Sequence, residues 1–213
     1  MKSLTQHIIE KLVLNNNTKI RNPREHIYHP TTKEELVEII KTEVEKNGWE
    51  CDLNHIDVSK ITDMSYLFSD AYSGYGLSRF NGDISGWNVS NVKNMKDMFL
   101  FTKAFNQPIG DWDVSNVTNM KDMFNGATKF NQPIGKWNVS NVTTMEAMFS
   151  NAQSFNQPIG DWDVSNVTDM RRMFNYAYSF KKDLSKWKPK DNCDIINIFH
   201  DCPIKEEYKP KFK

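Results

Sequence analysis

Along the chain, apolar positions alternate between two spacings. From residue 109 they fall at Ile109, Trp112 and Val114, ending in an every-second-residue pair that suits a short strand. From residue 117 they fall at Val117, Met120, Met123, Phe124 and Ala127, the i, i+3, i+6, i+7 and i+10 steps of one helical face. Ser115 precedes that face and is placed to N-cap it through the free amides of the first turn. Asn131, Gln132 and Pro133 then form a turn into the next Ile-x-x-Trp. The predicted unit is strand, short helix, loop.

The unit recurs. Trp87, Trp112, Trp137, Trp162 and Trp187 are spaced by 25 residues, and Phe80, Phe105, Phe130, Phe155 and Phe180 keep the same step. Met95, Met120, Met145 and Met170 follow it, as do Met98, Met123, Met148 and Met173, each followed by a Phe. One unit cannot bury both stripes, but stacked neighbours can. If strands pair in parallel, equivalent residues form columns about 4.8 Å apart, and the Trp, Phe and Met columns become one core. The predicted fold is an α/β, right-handed solenoid preceded by helices, with an all-β solenoid as the alternative. Degenerate units flank the array: residues 56–68 upstream, and downstream Ile195, Ile198 and Phe199 in the Met, Met and Phe slots. Asn91, Asn116, Asn141 and Asn166 form another column, expected to satisfy backbone groups of the turns. The segments read as residues 1–22, an amphipathic helix and linker; 23–52, a helical cap; 53–202, about six repeats; and 203–213, a tail. In the cap, Thr32 and Glu35 form a capping box, Leu36, Ile39, Ile40 and Val44 share a face, and Gly48 ends the helix.

Positions flanking each Trp should point away from the core onto an exposed sheet face. One column reads Gly86, Asp111, Lys136, Asp161, Lys186, with alternating sign; the other reads Asn88, Asp113, Asn138, Asp163, Lys188. Opposite charges across paired strands contribute roughly 0.2–1 kcal/mol each. These ladders fix register and solubility, or else offer a polar face to a partner, with Asp111, Asp113, Lys136, Asn138, Asp161, Asp163, Lys186 and Lys188 as the candidate residues. The Asp-x-Asp rungs lack the Gly-Asp spacing of calcium-binding β-helices, so no metal is expected on them.

Charge and composition narrow the function. Lys plus Arg and Asp plus Glu are each 27, which argues against a general nucleic-acid binder or a polybasic membrane binder. Hydrophobic residues at 38% and aromatics at 12% exclude a disordered chain, and no apolar run reaches a membrane span. Cys51, Cys193 and Cys202 are read as reduced thiols, Cys202 in a small-residue core slot. All five histidines fall outside the regular repeats of residues 80–187, and no GxSxG, HExxH or GxxxxGK[ST] motif occurs, so no enzyme is expected.

The motif WDVSNVTNMKDMF followed by FNQPIG resembles the 25-residue repeat of the DUF285 family, BspA-like leucine-rich-repeat surface proteins. The resemblance runs from residue 56 to about 202, and HPTTKEELVEIIKTEVEKNG resembles the helix that often precedes the first repeat. It implies a leucine-rich-repeat-like solenoid with no catalytic activity and no cofactor. Many members are lipoproteins or secreted adhesins, whereas MKSLTQHIIEKLVLNNN shows no secretory core or lipobox cysteine. That opening resembles short leaders on proteins of phages of gut bacteria. The leading expectation is a protein-recognition or structural module with an unknown protein partner. The alternatives are a virion-associated phage protein directed by its N-terminal helix, and a surface adhesin exported by a non-classical route. The corresponding location is cytoplasm or virion, with the cell surface following from the family.

Overall fold

The computed structural model describes residues 26–69 and 76–212. The proposed helix over residues 4–14 lies outside them. Among the described residues there is one α-helix, α1 (Lys33–Asn47), and one 3-10 turn at Glu206–Tyr208. The α1 boundaries follow from its caps. The Thr32 hydroxyl accepts from the Glu35 amide at 3.2 Å, Glu35 accepts from the Thr31 amide at 2.8 Å, and Gly48 stops the helix at φ 87°.

The repeats contain no α-helix, which corrects the helical reading of residues 117–127. The same i, i+3, i+4 apolar pattern is produced differently. Met98 donates back to the Met95 carbonyl, Leu100 to Asp97 and Thr102 to Phe99, closing consecutive turns. Asp97 and Phe101, third residues of the first and last of these, take left-handed φ values of 56° and 57°, as in type II turns. Two left-handed residues four apart recur at Asp122 and Gly126, Ala147 and Asn151, Arg172 and Tyr176, and Asn197 and Asp201. Pairs of side chains thus point inward and outward in turn, which mimics helical spacing.

The other amides leave the unit. Met95, Asp97, Phe99 and Phe101 donate to the Asn119, Lys121, Met123 and Asn125 carbonyls of the next unit at 2.8–2.9 Å. The pattern repeats up to Met170, Arg172, Phe174 and Tyr176, which donate to Asp194, Ile196, Ile198 and His200. Parallel bridges therefore fall at Asp63, Asn94, Asn119, Thr144, Asp169 and Asp194. The strand expected at Trp112–Val114 is not there; that stretch makes no bridge. A left-handed non-glycine residue costs roughly 1–2 kcal/mol, which an isolated unit could not offset. Within the stack each such amide from Tyr66 to Tyr176 gains an inter-unit bond, and the neighbouring Met and Phe gain a partner surface.

The core columns are as the 25-residue period requires. Trp87 to Trp187, the Met and Phe columns, Ile109 and its equivalents and the paired valines of units 87–167 are all buried. Two Phe columns interleave, with face-stacked pairs such as Phe99 and Phe105 at 3.9 Å and Phe124 and Phe130 at 4.0 Å. Spacing along the stack widens from 5.5–5.7 Å in the Phe99–Phe124–Phe149 column, beside the bonded segment, to 6.4 Å between Trp137 and Trp162. The units splay away from their hydrogen-bonded side.

Polar side chains reinforce the register. Each indole of the column from Trp87 to Trp187 donates to the preceding unit, as Trp137 Nε1 does to the Ile109 carbonyl at 3.1 Å. The asparagine column behaves as expected: Asn91, Asn116, Asn141 and Asn166 donate to the carbonyls of Ser59, Ser90, Ser115 and Ser140 at 2.7–2.8 Å. A second ladder joins the turns, with the Asn106 side chain accepting from the Asn131 amide and the Asn131 side chain from the Asn156 amide, both at 2.9 Å. At the N-terminal end, Tyr28 bridges to Ile56, and the apolar face of α1 joins the core of the array. Lys33 reaches Asp63 and Ser65, and the buried Glu43 accepts from Tyr28 at 2.9 Å.

Candidate functional site

The eight residues expected to face a partner all lie exposed: Asp111, Asp113, Lys136, Asn138, Asp161, Asp163, Lys186 and Lys188. They do not form a sheet face, because the chain around each Trp carries no bridge. One rung of the alternating-charge column is an ion pair, Lys186 with Asp161 at 2.7 Å. The second column has a local task. Asp113 and Asp163 accept from the Ser115 and Ser165 amides at 3.0 Å, and Asn138 from the Ser140 amide at 3.2 Å. These are Asx turns, and the serine hydrogen bonds hold both aspartates below the ordinary carboxylate range. Ser115 is a turn donor here, not a helix cap.

The charge ladder lies instead on the bonded segments. Glu146 pairs with Lys121 of the preceding unit and with Arg171 of the next at 3.3 Å, and Arg171 also meets Asp169 at 2.8 Å and Asp194 at 3.5 Å. A period-25 column through Lys96, Lys121, Glu146 and Arg171 carries the signal, but a helical reading gives it no cross-unit neighbours. Beside it, burial raises the carboxyls of Asp97 and Asp122, and each sits on a left-handed residue.

The described residues form a cavity of about 940 Å³ where α1 meets the array. Gly48 turns the chain out of α1, and the Trp49 carbonyl is fixed by the Asn81 amide at 2.8 Å. The Arg79 guanidinium lies 5.9 Å from the Trp49 ring centroid, a cation–π distance. Opposite stands Phe101, 46% exposed although large and apolar. Its left-handed backbone is held by the Asn125 carbonyl, and its ring lies over Gly126, where an added Cβ would come within 2.3 Å of Cδ1. Lys103, Glu50, Asn47, Ser78 and Ala104 complete the lining.

This is an aromatic cleft with two cations and one acid. It suits a planar or apolar group attached to a carboxylate, and its lining holds no histidine, cysteine or nucleophile–base pair. The thiols lie elsewhere and are unreactive by environment: burial, then Glu43, pushes Cys51 up to about 11, and burial, then Asp169, does the same for Cys193. All three cysteines are free. No cluster of three potential metal ligands occurs among the described residues, and none of their helices is long and apolar enough to cross a membrane.

A chain of 25-residue units that hydrogen-bond in register defines a repeat protein. Its family follows from comparison: residues 41–139 and 101–209 each match the family described as Mycoplasma protein of unknown function, DUF285, and the chain belongs to that family. No curated protein and no solved structure matches it.

Proposed function

We propose that the chain is a solenoid module that recognises another protein without catalysing a reaction, and that the Trp49–Phe101 cleft is its binding site. The observation that carries this reading is the half-exposed Phe101 ring, held on a left-handed residue against Gly126 and facing a Trp–Arg pair. Elsewhere in the repeats, large apolar side chains are mostly internal, and the asparagines, threonines and indoles are engaged with neighbouring units. Exposed aromatic surface beside cations is enriched at recognition sites, where one ring and one guanidinium can dominate the binding energy. The partner chemistry that fits is an apolar or aromatic side chain next to Asp, Glu or a C-terminal carboxylate.

The test uses the full chain against arrayed peptides that vary an aromatic residue and its flanking charges. Peptides pairing an aromatic with an acid should bind, and Trp49→Ala or Phe101→Ala should weaken them at least tenfold with folding intact. Binding that ignores both substitutions would reject the cleft.

A further inference from the structure

The stack ends in an edge that is already shaped for one more segment. In the last unit Ile198, His200 and Cys202 close the usual turns onto Ile195, Asn197 and Phe199, and Asn197 and Asp201 keep left-handed φ values of 56° and 52°. The amides of Ile195, Asn197, Phe199 and Asp201 therefore occupy the positions from which Met170, Arg172, Phe174 and Tyr176 donate one unit earlier. They donate to no described residue. The tail covers a different part of this end: the Tyr208 carbonyl accepts from Leu184 at 2.8 Å, and Ile204 is buried. The half-buried Phe199 continues the Phe column, stacked 5.7 Å from Phe174, and Ile196 beside it is 61% exposed.

We infer that this edge, from residue 195 to 201, docks an extended segment of a different polypeptide, which adds itself to the stack as a further unit would. The occupant is specified by what the row lacks. It must present carbonyls at alternate residues along one side, as each unit does to its predecessor, and apolar side chains in the Met-x-x-Met-Phe spacing that reach Ile195 and Phe199. A second copy does not fit. Placing two such edges together sets donors against donors, and the equivalent segment at the other end, residues 63–69, is already engaged by α1, whose Lys33 bonds Asp63 and Ser65. The mode is edge addition, in which main-chain bonds give affinity and alternate side chains give selectivity. It is independent of the cleft at Trp49.

The probe is a synthetic peptide copying residues 167–178, whose Asp169, Arg171, Met173 and Asn175 carbonyls accept from the preceding unit in the intact array. Amide hydrogen exchange of the full chain is followed by NMR with the peptide at millimolar concentration. The expected result is at least tenfold slower exchange at Ile195, Asn197, Phe199 and Asp201, no effect from a scrambled peptide, and the same protection in Trp49→Ala. Phe199→Ala should abolish the protection while exchange at the amides of units 95–176 stays unchanged. Unaltered exchange at the four amides with peptide present would overturn the proposal. So would slow exchange in the free chain, or protection that rises with protein concentration alone, which would assign the edge to the tail or to a second copy.

Discussion

Removing the Trp137 indole tests the stack at its centre. The side chain is 3% exposed, lies 6.3 Å from Phe124 and 6.4 Å from Trp162, and donates to the Ile109 carbonyl at 3.1 Å. Trp137→Ala loses a buried aromatic, typically about 3–5 kcal/mol. It also removes one of two bonds to the Ile109 carbonyl, which keeps the Trp112 amide at 3.2 Å, for about 0.5–1.5 kcal/mol more. Trp137→Phe separates the two contributions, because it keeps a ring in the column and loses only the bond and part of the area. The expected order is wild type, then Phe about 1–3 kcal/mol lower, then Ala at least 3 kcal/mol lower. With a urea slope of about 2 kcal/mol/M, Ala should lower the midpoint by about 1.5 M or more. Circular dichroism is the readout, since the substitution removes a fluorophore. An unchanged midpoint for Trp137→Ala would refute the buried column, and a Phe variant as damaged as Ala would refute the division between bond and packing.

Other outcomes follow from single features. Gly126→Ala places a Cβ on a residue at φ 71° and against the Phe101 ring, so it should cost about 1–3 kcal/mol in a melt and weaken peptide binding at the cleft. Asn141→Ala removes the 2.7 Å bond to the Ser115 carbonyl at an exposed site and should cost only about 0.5–1.5 kcal/mol by the same measurement. Asp97 and Asp122 have carboxyls raised by burial, so their protonated forms favour the fold. That contribution is complete below the ordinary value of 3.8 and is lost as pH rises through the folded-state values. Asp97→Asn should accordingly be more stable than wild type at pH 7, with the gain vanishing below about pH 4 in a series of melts. Deleting residues 112–136 joins Asp111 to Trp137 and should leave a shorter folded protein, checked by its elution volume and cooperative melt; aggregation would count against nearest-neighbour stacking.

The sequence was most readable where a column had one physical requirement. Trp, Phe and Met at a fixed step had to be buried, and Asn116 and its equivalents had to satisfy turns. Thr32, Glu35 and Gly48 bounded α1 because capping is local chemistry. The backbone of residues 117–127 was not readable in the same way. Val117, Met120, Met123 and Phe124 suit a helix as well as a run of alternating turns, and the choice is made by the next unit's carbonyls. Left-handed residues usually announce themselves as glycine or asparagine, but here Gly126 and Asn151 stand beside Asp97, Phe101, Ala147 and Arg172. Misplacing the bonded segment also misplaced the charge ladder, from Lys136 and Asp161 to Lys121, Glu146 and Arg171. The cleft was invisible because Trp49, Arg79 and Phe101 belong to three different segments, and none shares a repeat column that marks it.

The direction of the main-chain bonds has an electrical consequence. At the junctions from Met95 to Tyr176 four amides donate towards the C-terminal unit, while only one or two, such as Thr118 onto Lys93, donate back. The peptide dipoles therefore do not cancel as they do in an ordinary sheet, and they add along the array much as they do along a helix. The positive pole lies at the last unit, where Asp194 and Asp201 supply negative charge beside it. Because that pole is made by the unpaired amides of the last unit, adding or removing whole internal units would move the pole along the array without changing its strength.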